Sequence, residues 1–368
     1  MRFGKLLTGL LTVVALVVPV PSAAAAVTSG AIFNDPTVPA KQQVIVNHIR
    51  SLIQGAAVGS SIRVAIYHFS DANVAADLVA AHNRGVDVRM VQDYSDSATA
   101  ASKTVKTALG SRVTVCTQDR ACIGDYKSPI MHNKFFLFSN TSGSTNVVVQ
   151  SSANLNAGNS TKLWNNAVTL VGNAALYTSY DKYFNDLAAK KKDNDYYRSE
   201  NAGNTKTYFF PRAGSDESTD TIYNMLNENV TCEGNTSTGT ETGRTIIRIA
   251  MWYFSRDDIA RKLRQLADQK CWIEIVYTTL DDGSRGHLTG HDRIVLYQIS
   301  GNYEVHSKYM LIEGTYAGKK DTKWVMTGSH NYTSSALREN DEALLRIESG
   351  PIHDQYRANF WALRAAGS

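Results

Sequence analysis

The chain has 368 residues, 43% of them hydrophobic and 20% charged, enough for a large buried core in two domains or in one internally duplicated domain. Its 38 Lys and Arg stand against 34 Asp and Glu, a formal charge of +4 that falls to +2 if Arg2 and Lys5 leave with a leader peptide. So small an excess argues against a dedicated nucleic-acid binder, which needs a strong basic stripe.

Taken in chain order, residues 1–26 read as a secretory signal. Arg2 and Lys5 form a short basic start, Leu6 to Val18 are apolar, and PSAAAA offers small residues for cleavage. The apolar run is too short for a membrane span, so the expectation is export, with cleavage near Ala26.

Residues 27–189 form the first of two similar halves. IRVAIYHFSDANVAADLVAAHNRGVDVRMVQD, from Ile62, predicts a buried strand, a turn, an amphipathic helix and a second buried strand. The spacing of CTQDRAC favours a disulfide between Cys116 and Cys122. In MHNKFFLF, from Met131, strand periodicity places His132, Lys134, Phe136 and Phe138 on one face and Asn133, Phe135 and Leu137 on the other. The imidazole and the ammonium then point the same way, about 6.5 Å apart. A further strand, NVVVQSSANL, ends in Ser152 and Asn154. Residues 190–220 are charged, rich in Asn, Ser and Asp, and contain Pro211, which predicts a surface connection.

Residues 221–368 repeat the pattern. IRIAMWYFSRDDIARKLRQLADQKCWIEIVYT, from Ile247, aligns without a gap with the segment from Ile62. VHSKYMLI answers MHNKFFLF, with His306 and Lys308 on one face, and KWVMTGSHNYT ends in Ser329 and Asn331. His306 lies 174 residues after His132, and Ser329 lies 177 after Ser152, so the copies keep one register. EGNTSTGTETGR, from Glu233, predicts a poorly ordered loop, and Cys232 is left to pair with Cys271. The repeated β-α-β units imply largely parallel pairing and an α/β fold. Its architecture is two pseudo-twofold-related halves, β-α-β-rich, with mixed sheets flanked by helices and an active site at their interface.

Two His, two Lys, two Asn and two Ser in symmetric positions limit the chemistry. Lysine is not an ordinary metal ligand and no carboxylate cluster accompanies the histidines, so neither a metal nor another cofactor is expected. The G-x-S-x-G elbow of a serine hydrolase is absent from the sequence. Paired cations with amide and hydroxyl donors fit a phosphate and the charge it builds up in a transition state. Two imidazoles on opposite sides of phosphorus can divide the work, one attacking while the other protonates the leaving oxygen.

This pattern resembles the phospholipase D superfamily, whose signature is a duplicated H-x-K-x4-D followed by G-S-x-N. The matches are His132, Lys134 and Ser152-Ala153-Asn154 in the first half, and His306, Lys308 and Gly328-Ser329-His330-Asn331 in the second. The sequence departs from the signature at Ser139 and Glu313, which replace the aspartate, and at Ser151, which replaces the first glycine. The resemblance implies a shared site, a phosphohistidine intermediate and catalytic roles for His132, Lys134, His306, Lys308, Asn154 and Asn331. It also implies that Glu342, in NDEALL, orients a histidine, with Asn166 of WNNAVT as its first-half counterpart. Ser152, Ser329 and Asn166 are expected at the substrate, and His68 and Tyr253, in matching positions after the first strand of each half, are expected to line the site.

A carboxylate behind the second-half histidine suits a general acid and an amide behind the first suits a nucleophile. His306 is therefore expected as the acid and His132 as the nucleophile, a division that looks like the one in tyrosyl-DNA phosphodiesterases. The substrate expectation is a phospholipid, hydrolysed or transferred to alcohols by a secreted monomer in transient contact with a membrane surface. The alternatives are a secreted, metal-independent endonuclease and a non-catalytic binding relative; the intact His-Lys-Asn sets speak against the latter.

Overall fold

The computed structural model describes residues 25–367 together with Met1 and Gly4. The leader expected over 1–26 therefore lies outside the described residues except for Met1, Gly4, Ala25 and Ala26.

The first half is built on strands β1 (Gly30–Phe33), β2 (Ser61–Ile66), β3 (Asp87–Gln92), β4 (Val113–Val115), β5 (Lys134–Thr141), β6 (Ser144–Ser151), β7 (Leu163–Trp164) and β8 (Asn166–Leu170). Seven of them form a sheet in the order β1-β8-β6-β5-β2-β3-β4. The second half carries β9 (Arg198–Ala202), β10 (Thr205–Phe210), β11 (Val230–Thr231), β12 (Ile246–Phe254), β13 (Trp272–Leu280), β14 (Ile294–Gln298), β15 (Glu304–Val305), β16 (Lys308–Tyr316), β17 (Lys319–Gly328) and β18 (Glu342–Glu348). Its sheet runs β14-β13-β12-β16-β17-β18-β10-β9, with β11 added beside β16.

The largely parallel pairing expected is confined, within the two large sheets, to three strands at one end of each. β2, β3 and β4 are parallel, as are β12, β13 and β14. Apart from the short parallel pair β7–β15, the remaining pairings are antiparallel, and two-residue hairpins join β5 to β6 and β16 to β17. Each hairpin turns through two positive-φ residues, Ser142-Gly143 and Ala317-Gly318, the geometry that matches strand twist. In the first repeated unit the Asp71 side chain accepts from the amide of Val74 and starts the helix Ala72–Asn83.

Alternation along β5 divides its side chains between two cores. Phe136 and Phe138 enter a cluster with Ile49, Leu52 and Val74, whereas Phe135 and Leu137 enter one that also holds Tyr309, Leu311, Val325 and Leu345 of the second half. The helices Ala174–Ala188 and Gly350–Ala366 add Tyr180, Tyr183, Tyr356 and Phe360 to this shared core. Each fully buried side chain of this kind contributes about 1.5–3 kcal/mol, so the halves are fused by their cores.

Two expectations need correction. Residues 190–220 are more than a connection: β9 and β10 form a hairpin there, and β10 pairs with β18 through the apolar run Tyr208-Phe209-Phe210. The segment from Glu233 to Arg244 is tied down, because Asp321 accepts from the backbone amides of Thr236, Ser237 and Thr238 at 2.8, 2.8 and 3.1 Å. The cysteines pair as the spacing indicated, Cys116 with Cys122 and Cys232 with Cys271.

Candidate active site

Each histidine stands just before its strand, where the chain leaves its own sheet and bonds to the other half. His132 donates its amide to the carbonyl of Asp341 at 2.9 Å, and Asp341 donates to Ile130 at 3.0 Å. His306 donates to the carbonyl of Trp164 at 2.8 Å, where β15 pairs in parallel with β7. The next residue after each acceptor then reaches the imidazole across the boundary. His132 Nδ1 lies 2.8 Å from Glu342 Oε1, and His306 Nδ1 lies 2.8 Å from Asn165 Oδ1.

This pairing overturns two expectations. Glu342 serves the histidine of the other half, and its counterpart is Asn165, not Asn166. A slip of one position along a strand reverses the face, and Asn166 points away. Its Nδ2 donates to Thr327 Oγ1 at 2.8 Å and to the Tyr356 hydroxyl at 3.0 Å. Ser152 and Ser329, expected at the substrate, are fully buried behind the orienting side chains. Ser152 Oγ donates to Asn165 Oδ1 at 3.0 Å, and Ser329 Oγ donates to Glu342 Oε2. The Ser152–Asn165–His306 and Ser329–Glu342–His132 chains are thus symmetric except for amide against carboxylate.

With each Nδ1 donating to an oxygen, both Nε2 atoms are free to act on a ligand. Both rings line a cleft of about 470 Å³ together with Tyr67, His68, Asn154, Trp252, Tyr253 and Asn331. The backbone amide of His68 holds Asn154 Oδ1 at 3.2 Å, which leaves Asn154 Nδ2 to the cleft. His68 itself faces Asp96, with Nδ1 3.2 Å from Oδ1. Tyr67 and Trp252, which the sequence did not single out, pack against His132 and His306 with ring centroids 5.2 and 5.0 Å apart. The same rings lie under the ammonium groups of Lys134 and Lys308, at 5.1 and 5.3 Å.

The lysines are buried, at 0% and 2% exposure, and each Nζ donates to the carbonyl of its own histidine, at 2.5 and 2.7 Å. Burial lowers the Lys134 pKa to about 7, against the pull of Glu342 and Asp93. Burial and the nearby Lys134 hold Lys308 well below its ordinary value. Burial, with the positive lysines, also keeps His132 and His306 well below 6.5, so both rings are neutral in the empty site. Burial pushes the Glu342 carboxyl up, and Lys134 and the Ser329 hydroxyl oppose that rise. A phosphate entering the cleft would supply the negative charge that keeps both lysines protonated.

The family model described as cardiolipin synthase, PLD-like domain, matches residues 49–188 and again 241–364. The chain belongs to this phospholipase D-like family. No curated protein matches the chain. Among solved structures, phosphatidylserine synthase from Haemophilus influenzae Rd KW20 superposes with a TM-score of 0.62 at 13% identity, covering 89% of this chain and 85% of that one. Polyphosphate kinase from Porphyromonas gingivalis gives 0.60 at 11% identity over 91% of this chain, which spans only 50% of the kinase. Yeast tyrosyl-DNA phosphodiesterase, as an H432N mutant, gives 0.51 at 9% identity, covering 87% and 90%. At these identities the likeness is one of fold.

The departures from the family signature have structural explanations. Ser139 accepts from the amide of Ser61 at 2.8 Å, and Glu313 binds Arg248 and Arg357 at 2.9 and 3.0 Å, so both replacements of the aspartate anchor strands away from the cleft. A Cβ on Gly328 would collide with the carbonyl oxygen of Ala343, a contact only glycine avoids. At the first-half position Ser151 finds room and accepts from the amide of Ala153 at 2.9 Å. Among the described residues no group of His, Cys, Asp and Glu forms a metal-ligand set, and no helix is long and apolar enough to cross a membrane.

Proposed function

We propose that this phospholipase D-like protein is a secreted phosphodiesterase that hydrolyses phospholipids and transfers the phosphatidyl group to alcohols. The observation that carries the reaction type is the opposition of two imidazoles in one cleft, each with Nδ1 bonded at 2.8 Å to a group from the other half. The negative charge of the bound phosphodiester offsets the lysines, so that His306, neutral in the empty site, takes up a proton at Nε2. His132 Nε2 then attacks phosphorus, the bond to the leaving oxygen breaks, and His306 gives that oxygen its proton. Water or an alcohol then attacks the phosphohistidine, His306 takes the attacker's proton, and the phosphorus–nitrogen bond breaks to release the second product. Lys134, Lys308, Asn154 and Asn331 stabilise the charge on the non-bridging oxygens.

The crossed pairing changes the reason for this division of roles. If a carboxylate marked the acid, His132 and His306 would exchange places. The stronger consideration is the charge each ring carries through the reaction. Phosphorylated His132 is a cation as long as its Nδ1 keeps a proton, and Glu342 compensates it; a more basic ring is also the better nucleophile. His306 must surrender a proton quickly, and an amide partner leaves its imidazolium more acidic.

Lipid is favoured over nucleic acid by the cleft wall, on which no Lys or Arg appears among the described residues beyond Lys134 and Lys308 buried beneath it. A groove that follows several backbone phosphates needs such side chains. Mature protein in EDTA should release head group from phosphatidylcholine vesicles and leave plasmid DNA intact. Nicked plasmid without lipid turnover would establish the endonuclease alternative instead.

A further inference from the structure

A second collection of cations lies in the second half of the molecule, outside the catalytic cleft. Lys206 of β10 and Arg346 of β18 are directly opposite each other in the antiparallel register, so two like charges face one another across the strand pair. That arrangement costs stability unless something negative joins it. Arg212, just beyond β10, adds a third cation to the same recess, which has a volume of about 310 Å³. Among the described residues none of the three is in an ion pair, and Glu228 of the helix Thr221–Asn229 is the one carboxylate on the recess wall.

The protein's own contacts leave much of this charge uncompensated. Arg346 stacks over Trp324 at 5.1 Å, and its Nε is buried without a hydrogen-bond partner. Arg212 lies 4.3 Å from the centre of the Tyr197 ring and donates to Thr221 Oγ1 at 3.2 Å. Lys206 lies 5.3 Å from the centre of the Tyr208 ring. Partial burial and the facing Arg346 lower the Lys206 pKa, and Glu228 opposes them.

We propose that this recess binds a phosphate group, held between the guanidinium groups of Arg346 and Arg212 and the ammonium of Lys206. Two planar guanidinium donors and one flexible ammonium suit a tetrahedral dianion, and the flanking tyrosine rings fit the organic part of a phosphomonoester. The site is separate from the catalytic reading and stands whether or not the cleft cleaves lipids.

The test is calorimetric titration of the full chain with inorganic phosphate at constant ionic strength, on wild type, Lys206→Gln and Arg346→Gln. The wild type should bind one phosphate more than either variant, or bind it at least about tenfold more tightly at one site, as expected for loss of a charge-assisted contact. Inhibition of turnover by phosphate in the catalytic cleft should be the same in all three proteins. Arg212→Gln, in a loop, replaces Arg346→Gln if that variant does not fold. Flotation with phosphatidylcholine vesicles, with and without phosphatidate, separates the sources. Retention on phosphatidate that the variants lose assigns a lipid headgroup, and phosphate binding without retention assigns a soluble phosphate. Equal stoichiometry and affinity in wild type and variants would overturn the proposal.

Discussion

Replacing Glu342 with Gln keeps the side-chain volume and removes only a charge from a residue with no exposed surface. Two losses follow. The carboxylate no longer compensates the phosphorylated His132 cation, and a hydrogen bond to a charged group is worth about 1.5–3 kcal/mol, or roughly 10- to 150-fold in rate. The second loss concerns the tautomer. Ser329 Oγ accepts from the amide of Ala343 at 3.1 Å and gives its own proton to residue 342. A glutamine oxygen that takes this proton turns its NH2 toward His132 Nδ1, which then moves the imidazole proton to Nε2 and blocks attack. In the other half the Asn165 NH2 is held by the carbonyls of Asn159 and Leu163 at 2.9 and 3.2 Å, and the oxygen faces both Ser152 and His306. The substituted amide has no such anchors, so kcat should fall by about 10²–10⁴, the upper figure being typical of a histidine held in the wrong tautomer. KM should change little because Glu342 does not reach the cleft. Steady-state turnover of a phosphodiester measures kcat and KM, and quenching in alkaline denaturant preserves the acid-labile phosphohistidine for counting. A loss of kcat below threefold would refute the orienting role.

The remaining predictions concern the histidines and the lysines. With a p-nitrophenyl phosphodiester, whose leaving group needs almost no proton, His306→Ala should still release a burst of nitrophenol and His132→Ala none; the opposite pattern exchanges the roles. Lys308→Met should lower kcat by about two to four powers of ten. It should also raise Tm at neutral pH, because the folded pKa of Lys308 is depressed and its buried charge is a penalty. That penalty is fully present below the folded pKa and gone above the unfolded value of about 10.5, so the gain in Tm should shrink as pH rises toward that value. A lower Tm at pH 7 would contradict it. Since burial and the positive lysines depress His132, the acid limb of kcat/KM should fall below pH 6.5, and an acid limb above pH 6.5 would mean that the attacking ring is not desolvated as described.

The duplication, the repeated β-α-β units and the paired His-Lys strands were legible in the sequence because each depends on local periodicity and on a register that recurs. The disulfides were legible because four cysteines at unequal spacing leave one obvious pairing. The exchange of Glu342 and Asn165 between halves was not, since it follows from parallel contacts between segments about 140 to 210 residues apart. Asn165 and Asn166 are both asparagine, and composition cannot tell which one faces inward; only the offset of 177 that already related Ser152 to Ser329 pointed to Asn165. The β9–β10 hairpin was hidden by the polar residues around it, although Tyr208-Phe209-Phe210 carried the apolar signal. The loop at 233–244 looked unstructured because its anchor, Asp321, lies far along the chain.

The crossed orienters also explain why one chain holds both halves. Two identical subunits related by a twofold axis would place identical side chains behind the two histidines, and the rings would then share one basicity. Fusion allows the positions to differ, and the residues that differ here, Asn165 and Glu342, are the ones that touch Nδ1. Under the proposed mechanism one ring is thereby made more basic for attack and the other more acidic for proton delivery while the lysines, serines and cleft asparagines stay symmetric. Because each orienter belongs to the opposite half, neither half contains a complete histidine site, and the chemistry depends on the shared core that holds Phe135 and Leu137 against Tyr309 and Leu311.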